Sequence, residues 1–306
     1  MNAEQGPEHA HGRAFRILTF WLRPAFVLRA LQRFQTIAGF DRSIALASSA
    51  LTATIPLAVV AGGVLSGLGE NDLGDHIIER YELSGAGADA VHDIFAPAGG
   101  ASTSIGAVGV VFVLIAVLSM ARAVQRLFEQ TWELPALSVR NSVNGARWAL
   151  GFVGYVIASS AIHGLVGRHK LDVAAALLVA PLTAAFLIWS GRILSAKRIA
   201  FRDLLPFGAV AAVVLAVYSL GATVYVPHQF TSYAARYGVI GAVLAMISTF
   251  VCIMIAVVAS AAVGREVRDE LGRIRRGERP PDHVVQREWD TLIATARLRW
   301  RSMLRR

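Results

Sequence analysis

Cysteine is almost missing from this chain. Cys252 stands alone among 306 residues, which excludes an internal disulfide and any Cys-x-x-Cys metal site. Lysine is nearly as scarce, with Lys170 and Lys197 the two exceptions to arginine among 30 basic residues. Aromatic residues reach only 8% although 55% of the chain is hydrophobic. Charge is missing over long stretches, and none occurs from Ser43 to Gly69. A soluble domain of this size carries charge on every exposed helix face. Charges confined to blocks, with a mean hydropathy of +0.52, exclude that class and indicate an integral membrane protein.

What is present is a set of six apolar runs. A helix needs about 20 apolar residues to cross the hydrocarbon core. Ser43–Leu68, Ser104–Ala121, Trp148–Gly167, Val173–Ser190, Leu204–Pro227 and Gly238–Val263 meet or approach that length. The expected fold is therefore all-α: a polytopic membrane protein with six transmembrane helices plus interfacial amphipathic helices. No secretory leader pattern is found in residues 1–42, which are polar and then studded with arginine.

The arginines orient the set. With both termini in the cytoplasm, basic residues number 6 in 1–42, 4 in 122–147, 4 in 192–202 and 12 after Gly264. Only Arg80, Arg168, Lys170 and Arg236 fall outside. The positive-inside rule selects this orientation, with an even number of spans. The expected location is the bacterial inner membrane, multi-pass, with a cytoplasmic N-terminal segment at 1–42, a transmembrane domain at 43–264 and a basic cytoplasmic tail at 265–306. The net charge of +9 is thus accounted for by topology, and no nucleic-acid partner is expected.

Three segments have helical periodicity without spanning. In residues 13–40, RAFRILTFWLRPAFVLRALQRFQTIAGF, apolar side chains and arginines alternate at helical spacing, and Pro24 divides them into two pieces. Residues 283–306 place Val285, Trp289, Leu292, Ala296, Trp300 and Met303 on one stripe after a candidate N-cap, Asp282. Such helices lie in the membrane interface with arginines on anionic headgroups, or pack on the cytoplasmic ends of the bundle. For the first segment both readings stand, and for the second the interface is preferred. Membrane lipids are therefore the expected partners, the solute is unknown, and a homo-oligomer is compatible with the sequence. The third segment belongs to an outer cap at 70–97. Ile77, Ile78 and Tyr81, then Val91, Ile94 and Phe95, form two short amphipathic pieces among seven acids. It is expected over the outer ends of the first two spans, as a lid or as a passive cover.

Catalytic constellations are missing too. The eight histidines include no HExxH or comparable ligand spacing, and no GxSxG, phosphate-binding loop or paired carboxylates occur in the spans. Apart from His163 near one end, the six cores contain no acid or base. That disfavours an intramembrane enzyme and a pump built on a buried charge. No enzyme activity, cofactor or metal is expected.

The spans hold hydroxyls and prolines instead. Ser48, Ser49, Thr52, Thr54 and Pro56 lie in the first, Ser159 and Ser160 in the third, Tyr218 and Thr223 in the fifth, Ser248 and Thr249 in the sixth. Hydroxyls serve close helix packing, or they line a hydrated path for a polar or amphipathic solute. Pro56 removes one backbone hydrogen bond and predicts a kink, with a carbonyl left free near Thr52. Ser49, Thr52, Pro56, Ser160, Tyr218 and Ser248 are the candidate residues for a path or gate.

The pieces DRSIALASSALTATIPL, GAVGVVFVLIAVLSMARAVQRLFEQTWEL, AKRIAFRDLLPFGAV and YGVIGAVLAMI occur in an order and spacing that resemble the YihY/BrkB family of bacterial inner-membrane proteins, over roughly residues 25–270. The resemblance implies a six-helix membrane fold with cytoplasmic termini. Members of that family carry labels of virulence or serum-resistance factor, some are suspected transporters of envelope lipids, and an older label is ribonuclease BN. The residues do not support a nuclease, since no His/Asp cluster is available to activate water with a metal. Where the sixth span of that family ends in Gly-Ala-Glu, this chain has Ser260-Ala261-Ala262, and its first acid is Glu266. The leading expectation is transport or translocation of an envelope lipid or amphipathic solute. The alternative is a non-transporting membrane scaffold that recruits partners through its tails.

Overall fold

Backbone polar groups inside a bilayer must bond within their own segment, which leaves helices as the solution for apolar runs of this length. The computed structural model follows that rule. It describes residues 24–68, 78, 85, 88–89, 103–137, 142–166, 172–277 and 290. Among them the chain forms helices and no strand. The long helices are α1 Pro24–Thr36, α2 Gly39–Leu68, α3 Thr103–Thr131, α4 Ser142–Val166, α5 Asp172–Leu194, α6 Phe201–Tyr237 and α7 Val239–Arg275.

Stretches of α3, α4, α5, α6 and α7 are long and apolar enough to cross a membrane: Val111–Thr131, Val143–His163, Val173–Leu194, Phe201–Tyr237 and Val239–Arg275. The remaining expected span falls on α2, whose 30 residues run through Pro56. Side chains of α2 beyond Thr54 lie outside the described residues, and the helix is continuous through Pro56. Large apolar side chains such as Leu150, Leu177, Val217 and Val224 are more than half exposed, as lipid-facing residues are when no bilayer surrounds them.

The helices run further than the apolar runs predict. α3 continues past Ala121 to Thr131, α6 past Pro227 to Tyr237, and α7 past Val263 to Arg275. Hydropathy marks only the hydrocarbon depth, whereas the hydrogen-bond ladder continues as long as no breaker intervenes. With 37 residues each, α6 and α7 reach about 55 Å against a core of about 30 Å. Gly238, at φ 58°, makes the sharp turn between them, a conformation that L side chains rarely adopt.

The chain divides into two compact units, residues 37–265 and residues 1–36 with 266–306. In the larger unit, α2 packs on α3, α4 on α5, and α5 on α6. One core cluster joins Ala50, Met120, Ala121, Trp148 and Leu194. A second joins Ala222, Val226, Phe230 and Ala234 of α6 with Ala242 and Ala245 of α7. Ile78 and Ala88 pack against this second cluster. The described residues of the outer segment thus pack on α6 and α7, whereas the outer-end side chains of the first two expected spans lie outside the described residues. The alanines of α6 and α7 leave a shallow apolar surface, which Ile78 and Ala88 fill. The remainder of the expected cap lies outside the described residues.

Helices α6 and α7 approach closely at Gly264, where an added Cβ would stand 2.4 Å from the Phe207 Cα. Backbone cannot yield as a side chain can. Gly264→Leu is expected to destabilise the protein by about 1–3 kcal/mol through overpacking. Gly221→Leu, at a position with nothing within 4 Å, should have little effect. Thermal unfolding of the two variants in the same detergent checks the difference. Equal melting temperatures would refute the close seam.

In the smaller unit, α1 begins at Pro24 and buries Phe26, Ala30 and Phe34 along one stripe. The piece expected before Pro24 lies outside the described residues, as does the C-terminal stripe 283–306 except for the exposed Asp290.

Candidate functional site

The polar side chains of the larger unit fall into two classes. Many hydroxyls bond back to their own helix. Ser49 Oγ donates to the Ala45 carbonyl at 2.9 Å, Thr52 Oγ1 to that of Ser48 at 2.8 Å, and Thr54 Oγ1 to that of Ala50 at 2.8 Å. A hydroxyl satisfied this way can sit in an apolar medium at low cost. Thr52 is exposed and Ser49 half-buried on α2, and Ser160 is exposed on α4. Pro56 lies within α2, its side chain outside the described residues. Among the described residues, no hydrogen bond brings Ser49, Thr52 or Ser160 together with the other candidates.

The second class bridges helices. Tyr218 Oη of α6 donates to the Thr249 carbonyl of α7 at 3.4 Å, and Gln229 Nε2 donates to Ser248 Oγ at 3.2 Å. The structure thus brings Tyr218 and Ser248 to one seam, with Gln229 and Thr249 between the same two helices. Gln229 is only 7% exposed, and its Oε1 has no hydrogen-bond partner among the described residues. An amide acceptor left unpaired in an apolar seam costs about 1–3 kcal/mol unless a water or a solute hydroxyl meets it. Nothing in the hydropathy pattern marks Gln229. It follows Pro227, where the fifth apolar run ends. The helix continues because a proline in a membrane helix can be accommodated by its neighbours.

Helices α4 and α5 carry two more bridges. Trp148 Nε1 donates to Ser190 Oγ at 2.9 Å, and Ser190 Oγ donates to the Phe186 carbonyl at 2.7 Å. Thr183 Oγ1 spends its proton on the Val179 carbonyl, so Tyr155 Oη is the donor in its 3.0 Å contact with Thr183. Tyr155 stacks on Phe186 with centroids 4.6 Å apart. Every donor here is satisfied, and the seam is a packing interface.

A third polar node lies where α3 ends. Glu129, 4% exposed, accepts at Oε1 from Gln125 Nε2 at 2.9 Å, from the Leu137 amide at 2.8 Å and from Arg198 Nη2 at 3.2 Å. Arg198 also donates to the Pro135 carbonyl at 2.6 Å and to that of Ser195 at 3.0 Å. The node joins two turns that contain left-handed residues without glycine, Glu133 in one and Ala196 and Lys197 in the other. Such conformations persist where surrounding contacts over-determine them. Beneath the node, Phe128, Trp132 and Phe207 meet edge to face or tilted, with centroids 5.5–6.1 Å apart.

In the smaller unit, Glu266 is 2% exposed and is held by Arg29 Nε at 2.6 Å, Arg273 Nη2 at 3.2 Å and Arg33 Nε at 3.6 Å. Glu270 accepts from Arg29 and Arg273, and Asp269 from Arg33. The arginines of α1 are thus engaged by carboxylates of the last helix, which favours the packing reading of this amphipathic piece. Among the described residues, no three His, Cys, Asp or Glu side chains are grouped as a metal ion would require.

A sequence model of the family described as virulence factor BrkB matches residues 30–283. No curated protein and no solved structure matches the chain.

Proposed function

The chain belongs to the virulence factor BrkB family, and from that premise we propose that it is a multi-pass protein of the bacterial inner membrane that moves, or helps to move, an envelope lipid or related amphipathic solute. The apolar helices make it a membrane protein. In this reading α2 supplies a sixth span and both termini are cytoplasmic, as the distribution of arginine favours.

The observation that carries the proposal is the seam between α6 and α7. Gln229, Ser248 and Tyr218 set an unpartnered buried acceptor and two hydroxyls side by side among alanines and valines. The polar bridges of the α4–α5 seam leave no donor unsatisfied, whereas this seam keeps a buried acceptor without a partner among the described residues. A polar headgroup or its water passing between the helices would meet these groups in sequence. Ser49, Thr52 and Ser160 belong to the same path if the helices that carry them line it in another state. The rival reading, a scaffold that does not transport, needs only the tails and leaves Gln229 without a task.

Cysteine accessibility separates the two. In a Cys252→Ser background, single replacements Thr52→Cys, Ser160→Cys, Tyr218→Cys, Gln229→Cys and Ser248→Cys are treated with a membrane-impermeant maleimide in intact cells and in inverted vesicles. The proposal expects labelling at Gln229 and Ser248 at least, blocked by a permeant maleimide added first. Silence at all five positions, with loop controls Asp75→Cys and Ala196→Cys reacting on opposite sides, would leave a dry bundle and hand the case to the scaffold.

A further inference from the structure

Hydroxyls that only pack spend their proton on their own helix. Thr183, Ser190, Thr249 and Ser260 each donate to the carbonyl four residues back. Ser248 departs from that pattern. Its Oγ accepts from Gln229 Nε2 at 3.2 Å, and among the described residues it donates to no carbonyl. Gln229 Oε1, on the same amide, is buried with no donor among the described residues. The α6–α7 seam therefore holds an unmet acceptor and an unspent proton on two side chains already bonded to each other. Turning the amide over exchanges its ends, so that Ser248 donates to Oε1 and Nε2 is left over. In either arrangement the seam keeps hydrogen-bonding capacity that its own residues do not use.

The surroundings restrict what can meet it. Residues 204–235 of α6 and 239–264 of α7 include no acid, lysine or arginine. His228, one position before Gln229, is exposed. A phosphate or an ammonium seated in this seam would stay unneutralised, at a cost far above what one hydrogen bond returns. An uncharged hydroxyl fits both arrangements of the amide. It donates to Oε1 and accepts from Ser248 in one, and accepts from Nε2 in the other.

Gln229 precedes Gly238 by about 14 Å of helix and Ser248 follows it by about 15 Å, so the pair lies at one level of the hairpin. Nearer the turn the seam is closed, since a Cβ on Gly241 would strike the Tyr233 carbonyl. Tyr225 and Tyr233 lie one turn either side of Gln229, about 40° from it around α6, and are 47% and 37% exposed. Aromatic rings beside a single polar handle suit a ligand that is part apolar, as the carbon-bound faces of a sugar ring are.

Resting on the transport reading, we propose that the solute carries an uncharged polyol headgroup, such as a hexose on a diacylglycerol, whose hydroxyl bonds Gln229 and Ser248 in the α6–α7 seam. A lipid whose headgroup has no hydroxyl leaves the amide unmet and is the poorer ligand. Sites built to bond a substrate hydroxyl reject the analogue that lacks it, because their own buried groups are then unpaired.

The test uses the full chain in neutral detergent, with lipids that share one spin-labelled acyl chain. Monoglucosyldiacylglycerol, phosphatidylglycerol and phosphatidylcholine are the probes, and the immobilised fraction reports binding. The wild type is expected to retain the glucosyl lipid about tenfold over either phospholipid. Gln229→Leu and Ser248→Ala should each remove that preference, while Ser260→Ala, further along α7, keeps it. Gln229→Leu should also melt no lower than the wild type, since an apolar side chain replaces a buried unmet acceptor. A preference absent from the wild type, or unaltered in both variants, would overturn the inference. Retention of phosphatidylglycerol equal to that of the glucosyl lipid would overturn the restriction to an uncharged headgroup. Should water alone occupy the seam, Gln229→Cys reacts with maleimide and no lipid is preferred, which defeats this inference and leaves the transport reading standing. Lipid preference with all five cysteines silent has the opposite meaning: the binding site holds and the transport reading fails.

Discussion

Replacing Glu129 by alanine is expected to cost about 3–5 kcal/mol of stability, the range for breaking a buried ion pair from one side. The carboxylate is almost fully buried and its Oε1 collects three donors from three places in the chain. Without it, the Arg198 charge remains in a half-closed site, and the Leu137 amide loses its acceptor. The turns at Glu133 and at Ala196–Lys197 lose the contact that holds their left-handed residues in place. Glu129→Gln keeps the shape and part of the hydrogen bonding, so it should fall between the wild type and Glu129→Ala. The double variant Glu129→Ala with Arg198→Met should be less destabilised than the sum of its parts, because the orphaned charge goes with its partner. Thermal unfolding in detergent, followed by the fluorescence of Trp132 and its neighbours, measures all three. A melting temperature for Glu129→Ala within a degree of the wild type would sink this account of the node.

The second large effect is expected at Glu266. Removing this carboxylate leaves Arg29, Arg33 and Arg273 converging on an empty place, with Glu270 and Asp269 left to balance them. Because those arginines are 21–34% exposed, water screens part of the loss. The cost should sit near the lower end of the buried-pair range, about 3 kcal/mol. That energy falls on the contact between α1 and the last turns of α7, so the readout is local. Tryptic cleavage after Arg29 or Arg33 should accelerate about a hundredfold in Glu266→Ala, following the open population of α1. Arg29→Glu combined with Glu266→Arg should recover part of the protection, which neither single reversal does. If cleavage at α1 proceeds at the wild-type rate in Glu266→Ala, the network does not hold that helix.

The two sites show how far the chain can be read without coordinates. Ser43–Leu68 is visible as an apolar helix because no charge interrupts it. Glu266 is visible only as the first acid after the last apolar run. Its importance comes from Arg29 and Arg33, more than 230 positions earlier, and helical periodicity carries no information at that separation. The same holds for Glu129 and Arg198, 69 positions apart. Of the residues singled out for a polar path, Tyr218 and Ser248 reach one seam. Ser49 and Thr52 spend their hydroxyl protons on carbonyls one turn back. A count of hydroxyls cannot tell these two uses apart, since both place the same residue in the same helix. Gln229 went unmarked because Pro227 reads as a terminator, and only the neighbouring α7 shows that the helix continues past it.

Composition and the placement of charge therefore determined by themselves that this is an all-α membrane protein, where its apolar helices lie and which ends carry arginine. Transfer of each side chain between water and hydrocarbon is a local property, and it can be summed along the chain. The tertiary structure decided which arginines each buried carboxylate meets, that Ile78 and Ala88 pack on α6 and α7, and that Gln229 keeps an acceptor unpaired among the described residues beside Ser248. Those outcomes depend on the rotation and depth of one helix against another. Side-chain packing sets both, and no single segment contains that information.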